Sequence, residues 1–192
     1  MSSLDEVYAE RAAAVAALRE RGVDPYPASA TLTHTVADFI SSFSELELSG
    51  ETLTLAGRVV ARREHGALAF LDVFDGSGKV QVFCTSELLG EAVLADLLDS
   101  ITTADFIEVT GTAFITKRGT AALKLTDWKV LTKALQNVPT EHFGIQDEDE
   151  RYRKRYLDLM LDDELRGLFV KKAQFWSVTR EFMTRHGFLE VE

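Results

Sequence analysis

A single cysteine, Cys84, in a chain of 192 residues excludes an intrachain disulfide and a multi-cysteine zinc site. It is compatible with a reducing compartment and reads as a buried structural thiol. The four histidines, His34, His65, His142 and His186, are scattered without paired helical spacing, which argues against a metal site. No apolar run approaches the roughly 20 residues that cross a bilayer. Residues 1–20 alternate acidic, basic and alanine positions and lack the basic start and apolar block of a secretory signal. The expectation is a soluble, cytoplasmic protein with no membrane partner. Cations are the minority charge, 21 Lys and Arg against 31 Asp and Glu, for a net charge of -10. That balance argues against indiscriminate binding to a polyanion, so any nucleic-acid contact has to be a local basic surface. Arg58, Arg62 and Arg63 on one expected strand, with Lys117 and Arg118 in one turn, outline such a surface. No nucleophile-plus-base pair, internal repeat or low-complexity tract is present.

An apolar share of 46% supports a globular core, and the length allows one ordinary domain plus a remainder. Ser3-Leu4-Asp5-Glu6 has capping-box spacing, and Leu4, Tyr8, Ala12, Val15 and Leu18 recur at helical intervals up to Gly22. Asp24-Pro25-Tyr26-Pro27 breaks this helix, because each proline lacks an N–H and biases its predecessor to extended geometry. A second helix is expected from about Val36 to Phe43, capped by Thr35. From Thr52 the pattern becomes strand-like: Thr52 to Arg63, Leu68 to Phe74 and Lys79 to Cys84, the last two joined by the hairpin Asp75-Gly76-Ser77-Gly78. Asp75 to Lys79 lacks Walker spacing and joins strands, so it is no phosphate loop. Ser86 to Ser100 reads as a helix that buries Leu88, Leu89, Val93, Leu94, Leu97 and Leu98. Strands Phe106 to Thr116 and Ala122 to Leu131 follow, turning at Lys117-Arg118-Gly119-Thr120. Ala134 to Glu141, with Pro139, reads as a linker, and Asp163 to His186 as a helix with Leu165, Leu168, Phe169, Ala173, Trp176 and Phe182 as its apolar positions. Asp162 and Asp163 suit a helix cap better than catalysis.

Three strands, a helix and two strands is the order of an OB-fold, a five-stranded Greek-key barrel that often binds oligonucleotides on its second and third strands. With Leu71, Val73, Val80 and Val82 inward, the two-residue period turns Phe70, Asp72 and Gln81 outward. Phe70 then offers a base a stacking platform, Gln81 an amide for a base edge, and Arg63 positive charge. The competing assignment has Phe70 in the core and Gln81 merely solvated. Trp128 on the last strand is expected to serve barrel packing.

Ala56-Gly57-Arg58-Val59-Val60-Ala61-Arg62-Arg63, followed by Phe70 and Gln81, resembles the anticodon-binding barrel of class II lysyl-tRNA synthetases. Leu131-Thr132-Lys133-Ala134-Leu135 and Phe143-Gly144-Ile145-Gln146-Asp147 resemble the lysine branch, whereas Arg155-Tyr156-Leu157-Asp158-Leu159 is shared with aspartyl- and asparaginyl-tRNA synthetases. The resemblance implies that Phe70 stacks on the central anticodon uridine while Arg63 and Gln81 contact it, with Lys117, Arg118 and Thr120 in the neighbouring turn. That family usually places a glutamate just after the turn glycine, where this chain has Thr120, a shorter and uncharged side chain. Gly187 to Glu192 looks like the opening of the first signature motif of the class.

The expected architecture is therefore mainly β with helical flanks: an N-terminal helical extension over 1–50, an OB-fold anticodon-binding barrel over 51–134, a hinge over 135–160, and the start of a class II catalytic domain over 161–192. The resemblance further implies a lysine–tRNA ligase whose full-length form uses ATP and Mg, binds the tRNA(Lys) anticodon loop and forms a homodimer. No cofactor and no catalytic residue are assigned to this stretch, which is expected to be inactive alone. An aspartyl- or asparaginyl-type fragment, or a free-standing OB module for single-stranded nucleic acid, is the alternative. Arg151, Arg153, Lys154 and Arg155, with Arg166 further on, form either an ordinary charged helix surface, with Tyr152 and Tyr156 as a stripe, or a contact for tRNA or a second subunit.

Overall fold

Five strands rich in β-branched and aromatic residues close into a barrel: β1 (Thr52–His65), β2 (Leu68–Phe74), β3 (Lys79–Thr85), β4 (Phe106–Ile115) and β5 (Ala121–Thr132). The computed structural model describes residues 4–138, 145 and 147–191. It divides into two units, Met1–Asn137, which holds the barrel, and Val138–Glu192. Around the barrel the order is β1-β2-β3-β5-β4, with β4 returning to β1. Every pairing is antiparallel except the short parallel one between β3 and β5. This is the OB order expected from the sequence.

Strict alternation builds the interior. On β2, Ala69, Leu71 and Val73 are buried; on β3, Val80, Val82 and Cys84 are buried, with Phe70, Asp72, Gln81 and Phe83 on the opposite face. Leu53, Leu55, Val59, Ile107, Val109, Leu123 and Leu125 complete the core, each side chain contributing about 1.5–3 kcal/mol through burial. Burial also pushes the Cys84 thiol up to about 12, so it stays protonated and inert, as a structural thiol should. Trp128 packs against this core from a half-buried position. At Gly111 a Cβ would lie 2.1 Å from the Lys124 carbonyl oxygen, so β4 and β5 approach there only because the side chain is missing.

The flanking helices depart from the sequence reading in instructive ways. α1 (Leu4–Glu20) buries Val15 and Leu18 as expected, but Leu4 and Tyr8 are exposed. Its third buried residue is Arg11, whose guanidinium bonds the Thr103 and Ala134 carbonyls and the Asn137 side chain. α2 (Val36–Ser41) has the expected Thr35 cap, completed by Asp38 as a capping box, and stops at Ser41. A further helix, α3 (Phe43–Ser49), was not foreseen. The expected helix over Ser86 to Ser100 is two: α4 (Ser86–Leu89) and α5 (Glu91–Ser100). Gly90 separates them at φ 87 and ψ 150, a conformation essentially reserved to glycine. The break turns Leu88 and Val93 to solvent, leaving Leu94 and Leu97 as the buried pair.

Two carboxylates fasten this unit. Asp75 in the β2–β3 hairpin accepts the Val36 N–H at the start of α2 and, with its other oxygen, the Ser77 and Gly78 N–H groups and the Ser77 hydroxyl. Burial works against its charge, but these donors outweigh burial and hold the carboxyl below its ordinary value. Asp105, fully buried, pairs with the buried ammonium of Lys133. It also accepts the Thr102 N–H at 2.7 Å, the Thr102 hydroxyl at 3.1 Å and the Ala134 N–H at 2.8 Å. Lys133 spends a second donor on the Ser100 carbonyl, so both ions are satisfied.

The second unit holds α6 (Glu148–Arg153), α7 (Arg155–Leu161) and α8 (Asp163–Arg185). Asp162 caps α8 through the Leu165 N–H, the expected capping role. The basic joint is not one helical stripe, because Lys154 interrupts it, and its cations are paired: Arg153 with Asp149, Lys154 with Glu150, Arg151 and Arg155 with Asp158. Tyr152 and Tyr156 are exposed, as are Leu168, Phe169, Trp176 and Phe182 on α8. Among the described residues no helix is long and apolar enough to cross a membrane. Ser3, Pro139, Glu141, His142, Phe143, Gly144 and Gln146, which entered the reading of the cap, linker, histidines and lysine-branch wording, lie outside the described residues.

Candidate nucleic-acid interface

Strand register decides which residues share the barrel's outer face. Arg63 lies opposite Phe70, and Phe70 opposite Phe83, forming one row across β1, β2 and β3. Asp72 lies opposite Gln81 in the next row, and Gln81 opposite Ala122 on β5. Phe70 and Gln81 are thus diagonal neighbours, the arrangement expected if Phe70 points out. The competing core assignment fails: Phe70 is half-buried, with its flank against the Phe83 ring at 5.3 Å between centroids.

Arg63 keeps 54% of its side chain exposed while bonding Asp72 at 3.1 Å. The pair aims the guanidinium along the face above β2, and its exposure makes the ionic contribution to stability small. Arg58 and Arg62 do not join it in the expected basic patch. The two-residue period puts Arg62, opposite the buried Leu71, on the other side of the strand from Arg63. There it caps the end of α5 through the Leu98 and Ile101 carbonyls and pairs with Glu64. Arg58 donates to the Ala104 carbonyl at 3.1 Å and covers the Phe106 ring at 4.3 Å. Its partial burial lowers its pKa without discharging an arginine.

The β4–β5 turn approaches the same face. Thr120 immediately precedes β5 and stands two residues before Ala122, the register partner of Gln81. A bond from the Thr116 N–H to the Thr120 carbonyl at 2.9 Å closes the turn, and the Thr120 N–H donates to the Thr116 hydroxyl at 3.1 Å. Lys117 and Arg118 at its tip are exposed and make no ion pair among the described residues. Sequence reasoning missed Phe83, Phe114 and Lys124. Phe83 was legible, two residues after Gln81 on one alternating strand; Phe114 and Lys124 reach the face only through the β3–β5–β4 pairing. Among the described residues no group of three or more His, Cys, Asp or Glu could hold a metal ion.

A closed barrel in OB order carries a guanidinium, a ring and an amide across its first three strands, an arrangement of the kind with which OB-folds bind single-stranded nucleic acid. Residues 53–131 match the tRNA anti-codon family, described as an OB-fold nucleic acid binding domain. The chain is 39% identical over 190 residues to the lysine–tRNA ligase of Roseiflexus castenholzii, which covers 98% of this chain and 39% of that protein. The Chloroflexus aurantiacus lysine–tRNA ligase is 37% identical over the same shares, and that of Clostridium botulinum 35% identical over 98% of this chain and 37% of its own. The barrel is thus similar to OB-fold nucleic-acid-binding domains, and the chain to part of lysine–tRNA ligases. The chain spans about two fifths of the length of these relatives. Neither the aspartyl- or asparaginyl-type reading nor the free-standing module gains support from them.

Proposed function

We propose that the outer face of the barrel reads the anticodon loop of a lysine tRNA on behalf of a ligase that activates lysine with ATP and transfers it to that tRNA. One observation carries this reading: Arg63, Phe70 and Gln81 occupy adjoining registers of one outer face on β1, β2 and β3. Phe70 stacks on the central uridine, Gln81 bonds its edge, and Arg63 adds charge. Lys117 and Arg118 meet phosphates from the turn, and Thr120 stands just after the turn glycine, where the family resemblance implies a carboxylate. ATP and Mg are the cofactors this reading expects of the full-length enzyme. The full-length enzyme works in the cytoplasm as a homodimer; the exposed apolar side chains of α8 support only that this face is covered in the complete protein.

Titration of the chain and of Phe70→Ala with anticodon stem-loops carrying U or C at the central position tests this. Wild type should prefer U, and the variant should bind about 1–3 kcal/mol more weakly. Equal affinities throughout would remove the anticodon assignment. The chain alone should not catalyse lysine-dependent exchange of pyrophosphate into ATP; exchange abolished by a mutation in this chain would overturn that part.

A further inference from the structure

The outer face carries more aromatic surface than one base requires. The Phe83 ring lies between those of Phe70 and Phe114, 5.3 Å from each centroid and tilted by 46° and 43°. Phe114 belongs to β4, two strands from β3, a separation of about 10 Å at ordinary strand spacing. The rings meet because β5 contributes only Ala122 between them, in register with both Gln81 and Phe114 and fully buried. A larger residue there would hold the rings apart.

The next residue of β5 on this face is Lys124, in register with Phe83 and without an ion pair among the described residues. The row across β1, β2, β3 and β5 therefore reads Arg63, Phe70, Phe83, Lys124: two rings between two cations. In a chain of net charge -10, a cation left unpaired beside stacked rings suits a polyanion whose bases stack. The polar groups of this row, the Arg63 guanidinium and the Lys124 ammonium, present donors only, so the row cannot distinguish bases by a donor–acceptor pattern.

We propose that Phe83, backed by Phe114, is a second stacking position that takes the nucleotide adjacent to the central one and holds it whatever its base, with Lys124 on the phosphate. The inference rests on reading this face as an anticodon-loop site.

The experiment titrates the full chain with stem-loops made abasic either at the central nucleotide or at one of its two neighbours. Phe83→Leu should weaken binding of the intact loop about tenfold and add nothing once the contacted neighbour is abasic. Phe83→Trp should restore affinity. Exchanging that neighbour among the four bases should change affinity less than the central U-to-C change does. Lys124→Gln, on a strand whose fold it does not support, should lower the salt dependence by about one released counterion and weaken all loops alike. Should Phe83→Leu instead be cancelled by the central abasic site alone, Phe83 merely holds the Phe70 ring and the proposal falls. An unchanged salt slope in Lys124→Gln would remove the phosphate contact. Wild type without a central-uridine preference would defeat the underlying anticodon reading, whereas an intact preference with no effect of Phe83→Leu would defeat the second position alone.

Discussion

Replacing Lys133 by methionine removes the ammonium from a site where it is 1% exposed and leaves the fully buried Asp105 without its counterion. Breaking one side of a buried pair costs about 3–5 kcal/mol. Asp105 keeps three other donors, two from Thr102 and one from Ala134, which places the expected loss at the lower end, about 3 kcal/mol. For a unit of the size of Met1–Asn137, unfolding entropy of about 2.1 cal/mol/K per residue converts this into a fall in Tm of about 10 °C. Tryptophan fluorescence in a Trp176→Phe background reports the barrel through Trp128. Asp105→Asn should cost at least about 1 kcal/mol less on top of Lys133→Met than it does alone, because no buried charge is left to strand. A loss under about 1 kcal/mol in Lys133→Met, or strictly additive effects, would refute the view that this pair holds the end of the barrel.

Gly111→Ala should destabilise by about 3 kcal/mol in urea unfolding, the upper end of overpacking costs, because the two atoms nearest the new Cβ are the Lys124 carbonyl carbon and oxygen, backbone that cannot swing aside as a side-chain tip can. Asp75 has a folded pKa below its unfolded value, so its contribution is complete above about pH 4 and is lost as pH falls through the lower, folded value. Asp75→Asn should therefore lose about 1–2 kcal/mol at pH 7 and show a flatter stability profile below pH 4, measured by denaturation across that range. Thr120→Glu should widen the preference for central uridine over cytidine at fixed salt, because a carboxylate accepts the uracil N3–H while the cytosine N3 would face it unpaired. An unchanged ratio would mean that residue 120 does not face the base.

What the sequence revealed and hid follows from the range of each cue. Strand alternation is local, so the outward placement of Phe70, Asp72 and Gln81 could be read directly. The same cue, applied to Arg62 and Arg63, separates them to opposite faces; treating their adjacency as a patch ignored it. Arg11 broke the expected apolar stripe of α1 because its partners, Thr103, Ala134 and Asn137, lie about a hundred residues away and leave no local trace. Lys133 and Asp105 were equally silent, since a buried ion pair and a solvated one have the same spelling. Gly90 was visible, but a lone glycine inside a helical pattern leaves open whether the helix tolerates it; the backbone chose a break. For the candidate site, alternation singled out Phe70 and Gln81 with Arg63 beside them, resemblance added the central uridine and the position of Thr120, and Phe114 and Lys124 needed the fold.

The parallel ladder between β3 and β5 spans three residue pairs, Gln81 with Ala122, Val82 with Leu123 and Phe83 with Lys124. It is the seam that closes the barrel, joining segments about forty residues apart, and ring closure over such a span draws on loop entropy before any contact repays it. So short a seam is where the cylinder opens first, and its amide protons should exchange ahead of those in the long β4–β5 hairpin. Two of its three pairs carry Gln81 and Phe83. A strand of RNA lying across them would straddle the weakest joint of the barrel, so recognition and mechanical closure become one event, with tightness of binding reported by how slowly three rungs of backbone trade hydrogen for deuterium.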